Sequence, residues 1–97
     1  MDLNKLYKKN DETEIVEYEV DETGAMIYVE NTEETHMLNE TACYIFRLCT
    51  EPISFQQILD SMLSEYEISV DMLEQVKIDI SNCLTMLLEK QLILESM

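Results

Sequence analysis

The run Thr35-His36-Met37-Leu38-Asn39-Glu40-Thr41-Ala42-Cys43-Tyr44-Ile45-Phe46-Arg47-Leu48-Cys49 changes its period in the middle. Thr35 to Leu38 reads as a short strand. From Asn39 onward Ala42, Ile45, Phe46 and Cys49 recur at helical spacing and share one face. Asn39 is a good N-cap and Glu40 beside it complements the helix dipole. The chain therefore divides near residue 39 into a strand-forming half and a helical half.

Upstream, Glu14 to Val20 alternates with period two. Ile15, Glu17 and Glu19 fall on one face, and Glu14, Val16, Tyr18 and Val20 on the other. Asp21 to Gly24 suits a type I turn closed by a left-handed glycine. Ala25 to Val29 reads as the returning strand, and Glu30 to Glu34 as a charged turn leading into Thr35–Leu38. The expected product is an antiparallel meander. Residues 1–10 are open between a helical turn and a short edge strand through Leu3, Leu6 and Tyr7.

Downstream, Pro52 ends the first helix. Ser54 and Gln57 match a capping box, with Ile53 and Ile58 at the positions of a hydrophobic staple. The stripe Phe55, Ile58, Leu59, Met62, Leu63 and Tyr66 follows. A third helix begins near Ser69 or Asp71 and carries Leu73, Val76, Ile80, Cys83, Leu84, Leu87 and Leu88. The order is β-β-β-α-α-α: an α+β fold, a three-stranded antiparallel sheet followed by three helices, of winged helix-turn-helix character. Residues 1–97 form one domain in this reading.

Charge narrows the function. The 97 residues carry 21 acids and 6 bases, a net charge of −15. Asp11 to Glu40 contains eleven acids and no Lys or Arg. Such a field repels nucleic acid and anionic membrane and attracts a basic partner. Solubility alone is the plainer reading. One glycine excludes a glycine-rich phosphate loop. Cys43, Cys49 and Cys83, an odd set without a CxxC, read as reduced core thiols of a cytoplasmic protein. The first ten residues lack the apolar stretch of a signal peptide, and no apolar run approaches the ~18 residues of a membrane span.

No catalytic set stands out. His36 is the lone histidine and has no nucleophile near it in sequence. Cys43 and Cys49 lie about 120° apart on their helix, too far round to share a metal. The acids of 30–34 lack the Asp/Asn/Gly alternation of a calcium loop. Asp79, between Ile78 and Ile80, stands out in an apolar stretch, its plainer reading being a solvated residue at the stripe's edge. The topology does offer one opportunity. The outer edge of Thr35–Leu38 could take an added peptide strand, with a groove against the third helix receiving alternate side chains; the plainer reading is an edge protected from aggregation by the charges of Glu33 and Glu34.

The segment Met37 to Cys49 also resembles the central signature of the PqqD-like family. A strand ends in Leu38-Asn39, Glu40-Thr41-Ala42 follows, and Ile45 to Leu48 forms the helical turn. Ser54, Ile58-Leu59 and Glu65-Tyr66 match the family's next helix, and Asp79-Ile80 with the Leu-rich stretch to Ile93 match its last. The resemblance covers roughly residues 14–94. The family usually has Asp-Gly where this chain has Thr50-Glu51-Pro52, and Gly where it has Gln91. Turn 30–34 is longer and more acidic than usual. These departures should alter turns rather than the groove.

The resemblance implies a stand-alone recognition element for a ribosomally made precursor peptide. The leader segment adds beside the third strand and is presented to a modifying enzyme, often a radical-SAM enzyme. Carried over, the strand surface is Thr35, His36, Met37 and Leu38, and the helix wall draws on Val76, Lys77, Ile80, Ser81 and Leu84. Met37 and Leu38 point to opposite faces, so one lines the groove and the other enters the core. Asp79 could meet a basic leader residue. No catalytic residue, metal or cofactor is expected. The alternatives are an acidic adaptor that docks an enzyme without touching substrate, and a winged-helix transcription regulator. The third helix argues against the latter, with Lys77 and Lys90 outnumbered by acids.

Overall fold

A computed structural model describes residues 5–12, 14–21, 24–30 and 32–96, without the side chains of residues 19–21. Leu3, Glu22 and Thr23 of the first turn, and Asn31 of the second lie outside the described residues. The elements are β1 (Leu6–Lys9), β2 (Ile15–Asp21), β3 (Gly24–Val29), β4 (Glu34–Asn39), α1 (Glu40–Leu48), β5 (Ile53–Ser54), α2 (Phe55–Glu65), α3 (Leu73–Glu89) and β6 (Ile93–Ser96). A single 3-10 turn, Val70–Met72, precedes α3.

The meander is present as β2-β3-β4, antiparallel throughout. Its inner face carries Ala25, Ile27, Val29 and Leu38, all 5% exposed or less, which pack in one core with Ile45, Phe46, Ile58, Ile80, Leu84 and Leu87. Ile15 and Glu17 share this face, opposite Val29 and Ile27. Glu17 is held there by Arg47 of α1, Nε to Oε1 at 3.0 Å. The more apolar row of β2, Val16 and Tyr18, therefore faces away from the core.

A second sheet, β5-β1-β6, was not expected. Residues 6–9 form its central strand, rather than a helical turn or an edge. Tyr7 at its middle is fully buried. Lys9 donates its backbone N–H to the Cys49 carbonyl at 2.7 Å and sets its ammonium 4.7 Å from the Phe46 ring centroid. These contacts dock β1 on the end of α1.

Local signals set the helix starts. Asn39 Oδ1 accepts from the Ala42 N–H at 2.8 Å. The box at α2 closes both ways: Gln57 N–H donates to Ser54 Oγ at 3.1 Å, and Ser54 N–H to Gln57 Oε1 at 3.0 Å. At the end of α3, Leu92 N–H bonds to the Leu87 carbonyl and Gln91 N–H to the Leu88 carbonyl, each at 3.0 Å. That pair is a Schellman motif. Gln91 sits at its left-handed position with φ 59°. Where the resemblance leads one to expect glycine, the turn keeps its path and glutamine bears the strain. Buried Asn10 secures this turn, donating from Nδ2 to the Gln91 carbonyl at 2.8 Å, while its own N–H reaches the Leu92 carbonyl at 3.0 Å.

Gly24 corrects another expectation, for it has no positive φ. It opens β3 directly against the end of β4, where a Cβ would overlap the Leu38 carbonyl oxygen. Glycine is required there for close approach of two backbones.

Candidate functional site

β4 is an edge strand: it pairs with β3 on one side, and among the described residues no strand pairs with the other. Two clefts, each of about 370 Å3, open where β4 approaches α3. One lies at the Asn39 end, between Asn39, Thr41 and Ala42 on one side and Asp79, Asn82, Cys83 and Met86 on the other. The other lies at the Glu34 end, among Asn10, Glu12, Thr32 and Glu34 and the α3 terminus Glu89, Lys90 and Gln91. Strand and helix thus run alongside with opposite sense. Six strand residues span about 17 Å, and the ten steps from Asp79 to Glu89 about 15 Å. The lengths match, and the line along the β4 edge that joins the two clefts is the seam.

The seam's helix wall differs from the expected one. Val76, Ile80 and Leu84 are buried, 9%, 0% and 0% exposed, and their side chains belong to the core. Apolar spacing on a helix marks what packs inward, and these residues hold α3 at its distance from the sheet. The cleft surface is the neighbouring stripe at 79, 82, 83 and 86, of mixed chemistry. Asp79 stands out in the sequence; Cys83, expected among the core thiols, is instead partly exposed in this cleft, and Asn82 and Met86 are not expected there. The signal that could have found them is the i, i+3, i+4, i+7 set one step round from the core stripe. Lys77 pairs with Glu74 at 3.6 Å, and the Ser81 carbonyl accepts from Thr85 Oγ1 at 3.0 Å. Neither lines the cleft.

On the strand, Leu38 is the buried member of its pair and Met37, 64% exposed, points outward. Thr35 is exposed and in register with Tyr28 on the same outer face as Met37. His36 is on the inner row, opposite Ile27, with Nε2 3.3 Å from Glu34 Oε2 but without hydrogen-bond geometry. What β4 offers along the seam is chiefly its backbone.

The electrostatics are one-sided. Asp79 accepts a neutral amide from Gln75 at 2.9 Å, and among the described residues no cation pairs with it. At the other end three acids, Glu12, Glu34 and Glu89, and one base, Lys90, line the cleft. The thiols do not supply a nucleophile. Burial pushes Cys49 up to about 12 and Cys83 to about 11, and raises Cys43 as well, so all three are protonated at neutral pH. Among the described residues no three metal-ligating side chains gather, and no helix is long and apolar enough to cross a membrane.

A meander whose open edge runs along the last helix, above a winged-helix core, defines an α+β scaffold with an uncovered strand edge among the described residues. The comparisons agree with this class. The family model described as Coenzyme PQQ synthesis protein D (PqqD) matches residues 12–93, and the chain belongs to that family. A solved structure, "TbiB1 in Complex with the TbiA(beta) Leader Peptide", shares the fold with a TM-score of 0.70 at 22% identity, over 89% of this chain and 93% of that one. Comparison with curated proteins gives no match.

Proposed function

We propose that this protein binds the leader segment of a ribosomally synthesised precursor peptide by strand addition and presents it to a modifying enzyme of the radical-SAM class. The observation that carries the reading is the seam: an unpaired strand edge running beside a helix over equal lengths, with a cleft at each end. Backbone groups of Thr35, His36, Met37 and Leu38 pair with the peptide and provide affinity whatever its sequence. Alternate peptide side chains enter the cleft against Asp79, Asn82, Cys83 and Met86 and provide selectivity. Basic residues in the leader find Asp79 at one end and Glu12, Glu34 and Glu89 at the other. The protein contributes recognition and no catalysis, cofactor or metal, and it works in the cytoplasm. Membership of the family and the leader-bound state of TbiB1 support this reading.

Isothermal titration with the leader peptide encoded beside the protein, with and without the neighbouring enzyme, tests it. Saturable binding at micromolar concentration or below is expected, and Asp79→Lys should weaken a basic leader roughly tenfold, about 1.4 kcal/mol. Absence of binding in both arms would leave an adaptor that docks an enzyme without touching substrate.

A further inference from the structure

The outer face of β2-β3-β4 is apolar, and its described side chains are exposed or partly exposed. Register puts Val16, Tyr28 and Thr35 in one row and Tyr18, Met26 and Met37 in the next. Tyr18 is 51% exposed and Met37 64%. Val16, Met26 and Tyr28 are partly exposed. Two tyrosines, two methionines and a valine on one flat surface have the composition of the centre of a protein interface, where aromatic residues and methionine are enriched and charge is depleted. One end of this face is rimmed by Glu14 and Glu30. Their carboxyl groups are near enough that a hydrogen bond and repulsion from Glu14 raise the Glu30 carboxyl above its ordinary value. All three strands lie within the stretch from Asp11 to Glu40 that contains no Lys or Arg.

Charge selects the occupant. A second copy would bring another −15 to the same surface, and an anionic membrane would be repelled likewise. The complement is a basic rim around an apolar centre.

We propose that the outer face of β2-β3-β4 docks a folded protein with an apolar, basic-rimmed surface, namely the enzyme that modifies the peptide held in the seam. This assignment of the partner rests on the proposed function. α3 lies on the inner side of the sheet, so docking on the outer face leaves the seam open. A leader strand added beside β4 would also widen the docking face next to Met37. Each ligand then strengthens binding of the other by the same factor.

The test uses the intact protein, the purified modifying enzyme encoded beside it and the leader peptide. Tyr18→Lys is the first variant, since β2 is the strand farthest from the β4 edge. Tyr18→Ser is the second, should the lysine variant misfold by circular dichroism. Enzyme affinity should fall roughly tenfold or more in either folded variant, as for loss of a central aromatic anchor. Leader affinity should stay within about twofold, and parent-enzyme affinity should drop as salt is raised. Unchanged enzyme affinity in a folded variant overturns the proposal, as does absence of enzyme binding by the parent with leader present. Tyr18-dependent self-association in sedimentation, or Tyr18-dependent binding to phosphatidylglycerol vesicles, overturns it if enzyme affinity is untouched. Tyr18-dependent enzyme binding without any leader binding would sink the seam reading and leave the docking face standing.

Discussion

The two sheets are built on opposite plans. In β2-β3-β4 the strands are of six or seven residues and each pairs with its neighbour in sequence. In β5-β1-β6 they are of two to four residues, and β1 pairs with residues more than 40 and more than 80 positions away. The first sheet keeps an open edge and an open face and has no Lys or Arg in its strands. The second is short and surrounds a fully buried Tyr7, and Lys5, Lys8 and Lys9 stand in or beside its central strand. The sheet made from local contacts is the one on which the proposed partners would dock. The sheet made from distant contacts ties the fold together.

The strongest way to break this contrast is to cut the same residue type in each sheet. Tyr7→Ala should cost about 3–5 kcal/mol, as for other buried aromatic side chains, and approach the whole stability of so small a fold. Tyr18→Ala should cost less than about 1 kcal/mol. Urea melts of the two variants give both numbers, and equal costs would sink the division of labour. Next in size is Gly24→Ala. A Cβ there meets backbone rather than a flexible side chain, so about 1–3 kcal/mol should be lost. Amide exchange should quicken along β4 before it does in β1.

Why the first sheet was legible and the second was not follows from these distances. Alternation across Ile15–Asp21 and the helical stripes of α1 to α3 are properties of adjacent residues, as are the Asn39 cap and the Ser54–Gln57 box. Ile53–Ser54 is too short to show a period, and Ile93–Ser96 is hardly longer. Leu6–Lys9 has one fully buried side chain to announce it. The seam was legible in half. The edge of β4 follows from strand order. The cleft wall does not follow from hydrophobicity, because Val76, Ile80 and Leu84 advertise the core and the exposed stripe beside them has no period of its own chemistry. Gly24 opens β3 rather than closing a left-handed turn, and the Leu38 carbonyl that requires glycine there is invisible from the local sequence.

Two smaller effects sharpen the comparison at the joints of the second sheet. Cys49 passes its carbonyl to β1, and burial lifts its thiol from 9.0 to about 12. The folded value is the higher one, so the fold favours the neutral thiol. That contribution is complete below about pH 9 and is lost as the pH rises through the folded value near 12. By pH 10 the share lost through Cys49 should be about 1 kcal/mol, with a similar share through Cys83, so Cys49→Ala should reduce the loss read from urea midpoints without abolishing it. At the other joint, Gln91→Gly relieves the left-handed residue before β6. A gain of about 0.5–1 kcal/mol is expected, a rise of a few degrees in Tm.

The pairing of Leu6 with Ser96 in the second sheet, reinforced by the Lys5–Glu95 ion pair at 3.1 Å, has a topological consequence. Chain entry and chain exit lie side by side, about one strand spacing of 4.8 Å apart. They sit at the end of β1 away from Asn10 and its cleft. A host protein could therefore carry this unit as a loop insertion with little more opening than a hairpin needs.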